Sequence, residues 1–255
     1  MRTSSFSITR LPGHLLLAAV FLCAASVANA QTPAPLTGDH IATSQGDLVT
    51  HPVKHASFVM QWNGKTIYVD PVGGAEPYAG LPGPDLVLIT DIHPDHLNAD
   101  TLADMKGTSV VAPQAVYEQA PDNIKHMITT ILKNGDQVTV DGIGIEAMPM
   151  YNITEGRLQY HEKGRGNGYL LTLGDERVYI AGDTEAIPEM LALEDIDVAF
   201  IPMNLPYTMT VEQAAEAVRT FRPAIVYPYH FRGSDVEEFR RLVGDASEVR
   251  LLEWY

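Results

Sequence analysis

A single cysteine stands among the 255 residues, Cys23, and it falls in a segment that reads as a removable address. Arg2 and Arg10 form a positive head, Leu15 to Val27 an apolar stretch, and Ala28-Asn29-Ala30 a small-x-small site. The stretch is too short to span a bilayer and has the flanks of a secretory signal, with cleavage expected after Ala30. Leu22 before Cys23, where a lipid anchor wants a small residue, argues against lipidation. The processed chain then has no cysteine. That excludes disulfides, thiolate nucleophiles and thiolate ligands, so any metal must be held by His, Asp or Glu. A secreted or periplasmic location is expected; an oxidising compartment permits disulfides without requiring them.

Positive charge is also scarce. The chain has 17 Lys+Arg against 32 Asp+Glu, a net charge of −15. Arg2 and Arg10 are the signal's only charged residues, which leaves 15 basic against 32 acidic residues and a net charge of −17. Such a surface repels phosphate backbones and anionic membranes, so no nucleic-acid partner is expected. No later apolar run reaches membrane-spanning length, so no membrane insertion is expected after signal cleavage. There is no G-x-S-x-G elbow for a serine nucleophile. GRGNG at 164–168 lacks the Lys-Ser/Thr of a phosphate loop and precedes a strand, so it is discounted as one.

What is present reads as one domain. Residues 1–30 are the signal, 31–48 (QTPAPLTGDHIATSQGDL) a polar extended lead-in, and 49–255 the folded domain. Ala56–Trp62 and Thr66–Val69 flank Asn63-Gly64, a short hairpin signal. Asp85–Thr90 (DLVLIT) is the continuous apolar run of a strand buried on both faces. A helix is expected over 98–106 and strands over 109–112, 127–132, 137–141 and 143–149. A second hairpin is expected over 168–173 and 177–181, then a strand over 198–202. Thr210-Val211-Glu212-Gln213 and Ser234-Asp235-Val236-Glu237 are capping boxes that open helices to about 221 and 243. Strands are expected over 224–229 and 249–254. Strands first, with helices alternating later, predict an α+β domain of two mixed sheets face to face.

Four metal-capable side chains follow the buried strand within six residues: Asp91, His93, Asp95 and His96, in TDIHPDHLN. A strand that delivers its C-terminal end into such a loop is where α/β proteins place functional groups. Alternate spacing sends Asp91, His93 and Asp95 toward one side and His96 toward another, so one loop can serve two ions. Asp183 lies in AGDT at a later strand end, and His230 closes YPYH. His55 precedes the first hairpin strand and can reach a pocket there. Asp70-Pro71 ends the strand after TIYV and can accept a bond from a ligand imidazole.

This loop, the later Asp and the last His resemble the H-x-H-x-D-H pattern of the metallo-β-lactamase superfamily. The flanking strings ASFVMQWNGKTIYVDP, HEKGRGNGYLLTLGDERVYIAGDT and IPMNLPYTMT resemble its branch of zinc-dependent hydrolases related to ascorbate-phosphate lactonases. The resemblance covers nearly all of the processed chain and implies the αββα sandwich, with helices on the outer faces of two mixed sheets. It implies a first metal bound by His93, a second by Asp95, His96 and His230, and Asp183 bridging both. It implies two zinc ions and a metal-bound hydroxide that cleaves an ester, lactone or phosphodiester, with Asp95 and Asp183 as catalytic residues. A metal-poor scaffold that kept the fold and a β-lactam-hydrolysing enzyme are the alternatives.

Two departures concern the first metal. Asp91 stands where the family has a His; as an oxygen ligand it turns that site toward manganese or iron, or weakens it. Met150-Tyr151-Asn152 stands where a mid-chain His is usual, and His161 in HEKGRGNG is its substitute as a ligand. His55, Asn204 and Tyr207 are the expected substrate-binding residues, with Tyr207 able to donate to a developing oxyanion. Lys163 and Arg165 are candidates to hold an anionic group.

Overall fold

Side chains that alternate between two faces set most of this architecture. The computed structural model describes residues 1, 35–105 and 107–255; the expected signal at 1–30 and the start of the lead-in lie outside them. Strands β1 (Asp39–Thr43), β2 (Gly46–Lys54), β3 (Ser57–Trp62) and β4 (Lys65–Val69) pair antiparallel. Strands β5 (Leu86–Leu88), β6 (Ser109–Pro113) and β7 (Ile128–Leu132) extend the same seven-stranded sheet in parallel. The second half repeats the plan. Strands β8 (Gln137–Val140), β9 (Ile143–Met150), β10 (Gly166–Leu173) and β11 (Glu176–Ile180) are antiparallel. They continue into parallel β12 (Val198–Pro202), β13 (Ile225–Tyr229) and β14 (Glu248–Val249), again seven strands in order.

The sheets meet through one apolar layer. Phe58, Ile67, Leu86 and Val111 of the first join Ile145, Leu171, Val178 and Phe200 of the second, and the Phe58 and Phe200 rings stack at 4.3 Å. The intervening residues of the same strands face outward. Val59, Val87 and Val110 pack with helices α1 (Ala99–Asp104), α2 (Gln114–Gln119) and α3 (Asp122–Lys125) through Leu102, Val116 and Ile124. Ala199, Ile201 and Val226 pack with α4 (Pro188–Leu191), α5 (Val211–Phe221) and α6 (Val236–Val243) through Met190, Val218 and Phe239. The order helix, sheet, sheet, helix is the expected αββα sandwich.

Local chemistry explains several elements. Asn63 and Gly64 both adopt positive φ, 48° and 72°, as the tight β3–β4 turn requires. Thr210 and Gln213 form the reciprocal capping box of α5. The cap of α6 is Asp235, one residue later than expected, because its carboxylate accepts from the Glu237 and Glu238 amides while Ser234 donates instead to Met203 O. The lead-in expected at 31–48 is shorter. Residues 39–43 and 46–48 already belong to β1 and β2, where Ile41 and Leu48 enter the inter-sheet core. The strand expected over 249–254 reduces to Glu248–Val249, and Trp254 is buried in the core from an irregular tail.

Candidate metal centre

The ends of strands from both sheets converge on one cluster. Asp70 follows β4, the 91–96 loop follows β5, Asp183 follows β11, and His230 follows β13. His55 occupies the β2–β3 turn. Asp70, His55 and His230 all adopt left-handed backbone, with φ of 43°, 57° and 47°. Such a conformation costs roughly 1 kcal/mol or more for a residue with a Cβ and persists where the surroundings over-determine it. The His230 amide donates to His55 O at 3.1 Å, which joins the two turns.

The β5 loop does not stay extended, so alternation does not sort its side chains as expected. The His96 and Leu97 amides both donate to His93 O, at 2.9 and 2.8 Å, and the chain turns. Asp91 and His93 share one side with His161. Asp95 instead faces His55 and His230, and His96 faces Asp183 and His230.

His96 is fully buried and clamped from behind. Its Nδ1 lies 2.8 Å from Asp70 Oδ2, and Asp70 also accepts from the Thr90 amide and hydroxyl at 2.7 and 2.6 Å. The expected support from Asp70 is therefore in place, with Thr90 added. The opposite nitrogen, His96 Nε2, lies 3.3 Å from Asp183 Oδ2. His230 Nε2 lies 3.3 Å from Asp183 Oδ1 and 3.4 Å from Asp95 Oδ2. Among the described residues, His96 Nε2, Asp183 Oδ1 and both ring nitrogens of His230 are buried without a hydrogen-bond partner. The imidazoles of residues 96 and 230 stack at 5.3 Å beside the same carboxylate.

His55 completes this side: its Nε2 is 3.2 Å from Asp95 Oδ2, its Nδ1 is 2.6 Å from the Tyr255 hydroxyl, and its ring lies 3.7 Å from that of His230. Expected only to line the pocket or hold substrate, it also lies within a metal-sized group with Asp95 and His230.

The outer trio differs. Asp91 is fully buried, and Arg165 engages both its oxygens, Nε to Oδ1 at 3.2 Å and Nη2 to Oδ2 at 3.0 Å. His93 Nδ1 is 2.8 Å from Asp91 Oδ2. His161 is buried rather than on a loop tip, with Nδ1 2.7 Å from Asn152 Oδ1 and Nε2 3.2 Å from Asp183 Oδ2. Asn152, of the Met150-Tyr151-Asn152 stretch, thus orients the His161 ring. The Arg165–Asp91 pair had no signal in the sequence beyond a basic residue in an acidic chain, because 74 positions separate the partners.

Charge in the cluster is mutually supporting. Burial opposes ionisation of Asp183, but the neighbouring His230 and His96 hold its carboxyl well below the usual range. Burial opposes ionisation of Asp95 in the same way, and the contacts of His230 and His55 outweigh it. Burial favours neutral His96, yet the Asp183 and Asp70 carboxylates raise its pKa. Burial lowers that of His55, against the pull of Asp95.

A cavity of about 430 Å³ opens onto the cluster, and Tyr160, Asn204, Tyr207 and Arg232 contribute to its walls. The Tyr160 and Tyr207 rings meet edge to face at 5.0 Å, and Asn152 Nδ2 donates to Tyr207 O. Lys163 points elsewhere, toward Glu189 and Tyr151. Two of the three glycines of GRGNG have a steric reason. A Cβ on Gly166 would lie 2.9 Å from Thr90 O, and one on Gly168 would lie 2.8 Å from Ala181 O. Bare backbone lets β10 press against the strand ends that carry the cluster, where the Asn167 amide donates to Thr90 O at 2.9 Å.

Residues 51–230 match the family model described as the beta-lactamase superfamily domain. A UPF0173 metal-dependent hydrolase of Pyrococcus horikoshii is 33% identical over 215 residues, covering 78% of this chain and 93% of the relative. A crystal structure of a metal-dependent hydrolase from Parabacteroides distasonis is 41% identical, with TM-score 0.76, covering 86% of this chain and 99% of that one. The metallo hydrolase Igni18 of Ignicoccus hospitalis is 26% identical, with TM-score 0.67, over 81% of this chain and 95% of that one. This chain belongs to the metallo-β-lactamase superfamily and is one of its metal-dependent hydrolases.

Proposed function

We propose that the chain hydrolyses a small-molecule ester, lactone or phosphodiester at a centre built on Asp95, His96, Asp183 and His230. The observation that carries this reading is the convergence of buried atoms without partners: His96 Nε2, Asp183 Oδ1 and His230 Nε2. Leaving such groups unmet costs about 1–3 kcal/mol each, so folding them together without a ligand is unfavourable. Imidazole nitrogens with carboxylate oxygens are a donor set for zinc, and manganese or iron are compatible with the oxygens. A divalent ion bound there lowers the pKa of a coordinated water toward ~7 and so supplies a nucleophile at neutral pH.

The chain's own residues do the rest. Asp95 is 43% exposed at its side chain and faces the cavity, so it can orient the attacking water and accept its proton. Asp70 fixes the tautomer and direction of His96. Tyr207 and Asn204 border the cavity, where Tyr207 can donate to the oxygen that gains charge. Arg232 offers a counter-charge to an anionic substrate group. The lean toward lactone or phosphodiester bonds follows the lactonase-like strings of the sequence.

His96→Ala is expected to abolish hydrolysis and to remove the rise in Tm that metal gives the wild type, because binding to the native state is lost. A screen of lactones, phosphodiesters and β-lactams, run with zinc and then manganese, reads the first effect, and thermal melts read the second. Wild-type rates in the variant would defeat the assignment.

We also propose export with cleavage after Ala30, supported by the residue pattern of 1–30. Mass spectrometry of the protein from fractionated native cells should find a chain beginning at Gln31 outside the cytoplasm. An intact Met1 form confined to the cytoplasm would contradict it.

A further inference from the structure

We infer that the guanidinium of Arg165 takes the place of a second cation, so that the centre binds one divalent ion per chain, in the deep set of His96, Asp183 and His230. The inference rests on the metal-site reading above and assigns how many ions that site takes.

The two halves of the cluster differ in which atoms are free. In the deep set, four buried atoms on three residues have no hydrogen-bond partner among the described residues. In the outer trio both oxygens of Asp91 and both ring nitrogens of His93 are engaged. Arg165 grips both oxygens of Asp91 side-on, the bidentate geometry in which a guanidinium matches a carboxylate most strongly. The guanidinium is itself held from behind by Tyr160 O at 2.6 Å, and its side chain is only 17% exposed. His93 closes the ring. Its Nδ1 is 2.8 Å from Asp91 Oδ2 and its Nε2 is 3.4 Å from Arg165 Nη2, so one ring nitrogen donates to the carboxylate and the other accepts from the guanidinium.

Charge leads to the same count. Asp183 within the deep set and Asp95 at its edge, 3.4 Å from His230 Nε2, bring two negative charges, which one divalent ion neutralises. Arg165 already neutralises Asp91. A second ion reaching Asp91 Oδ2 would lie beside a half-buried guanidinium fixed by three partners, and like charges at that distance repel. An aspartate in place of histidine at position 91 is what makes the arrangement possible, since an imidazole offers a guanidinium no pair of oxygens.

The test is a metal count on the full processed chain. The protein is stripped with a chelator, titrated with zinc by calorimetry, desalted and analysed for metal, then the series is repeated with manganese. Wild type is expected to take up one ion per chain, and His230→Ala none. The charge-balanced double variant Asp91→Asn with Arg165→Gln is expected to keep one ion, its fold checked by circular dichroism. Two ions in wild type would overturn the inference while leaving the metal-site reading intact. Loss of the ion from a folded double variant would also overturn it, because Asp91 would then be needed as a ligand. No ion in wild type would defeat the site reading and this inference together. If the double variant does not fold, the wild-type count still decides.

Discussion

Asp70 is fully buried behind the cluster, and its carboxylate decides which nitrogen of His96 faces it. It accepts from Thr90 twice and holds His96 Nδ1, which leaves Nε2 directed at Asp183. Such outer carboxylates orient ligand imidazoles and raise their basicity, and removing one commonly costs 10–100-fold in metal affinity. Asp70→Asn is expected to weaken zinc binding by about that factor while the protein stays folded. Competition with a chelating dye measures it, and unchanged affinity would show that His96 is aimed by packing alone. Residue types together with the family resemblance marked His96, Asp183 and His230 as candidate ligands in the sequence. The same reasoning could not find the guanidinium on Asp91, because the pairing depends on where β10 crosses the β5 loop.

The strand β10 is the element on which the centre leans. Its glycines at 166 and 168 leave room for Thr90 O and for Ala181 O, and neither backbone oxygen can move aside as a side-chain end would. Gly168→Ala would place a Cβ 2.8 Å from Ala181 O and 2.9 Å from Ile180 O. Overpacking of this kind costs roughly 1–3 kcal/mol, so the urea midpoint of the variant should fall, and a wild-type midpoint would show that the strand shifts freely. Element types were readable from periodicity and caps: the Asn63-Gly64 hairpin and the Thr210 capping box form as their residues predict. The short helices α2, α3 and α4 were not, since four to six residues carry little apolar period and none of the three has a side-chain cap of the kind Asn98 gives α1. Nor was β1, whose sequence DHIAT has one core residue and is a strand because β2 pairs with it.

Across the whole molecule, the two sheets are tied at one edge by Asp39 of β1, which meets Tyr227 of β13 and the Arg250 guanidinium after β14 at 2.8 Å. Burial opposes ionisation of Asp39, and the bonds from Tyr227 and Arg250 outweigh it, so its carboxyl lies below the usual range. A carboxyl whose pKa is depressed by folding contributes stability above its unfolded pKa of about 4. That contribution is lost as pH falls through the folded value. Solvent screens a partly exposed pair, so Asp39→Asn is expected to cost no more than about 1 kcal/mol at pH 7. Urea melts at pH 7 and pH 3 should show the gap between wild type and variant closing at the lower pH. A gap that stays constant would mean that the pair adds nothing through its charge.

The sequence by itself determined two mixed sheets and the strand ends that carry the candidate site, and its resemblance to a family marked most candidate ligands. Those features are local: period-two burial, turn residues with special backbone angles, and imidazoles or carboxylates placed just past apolar runs. Only the tertiary structure decided which donors remain free and which are already spent on one another, and it brought Asn152 to the site. Distances between side chains tens of positions apart depend on how two sheets pack, and no local pattern in the chain encodes them.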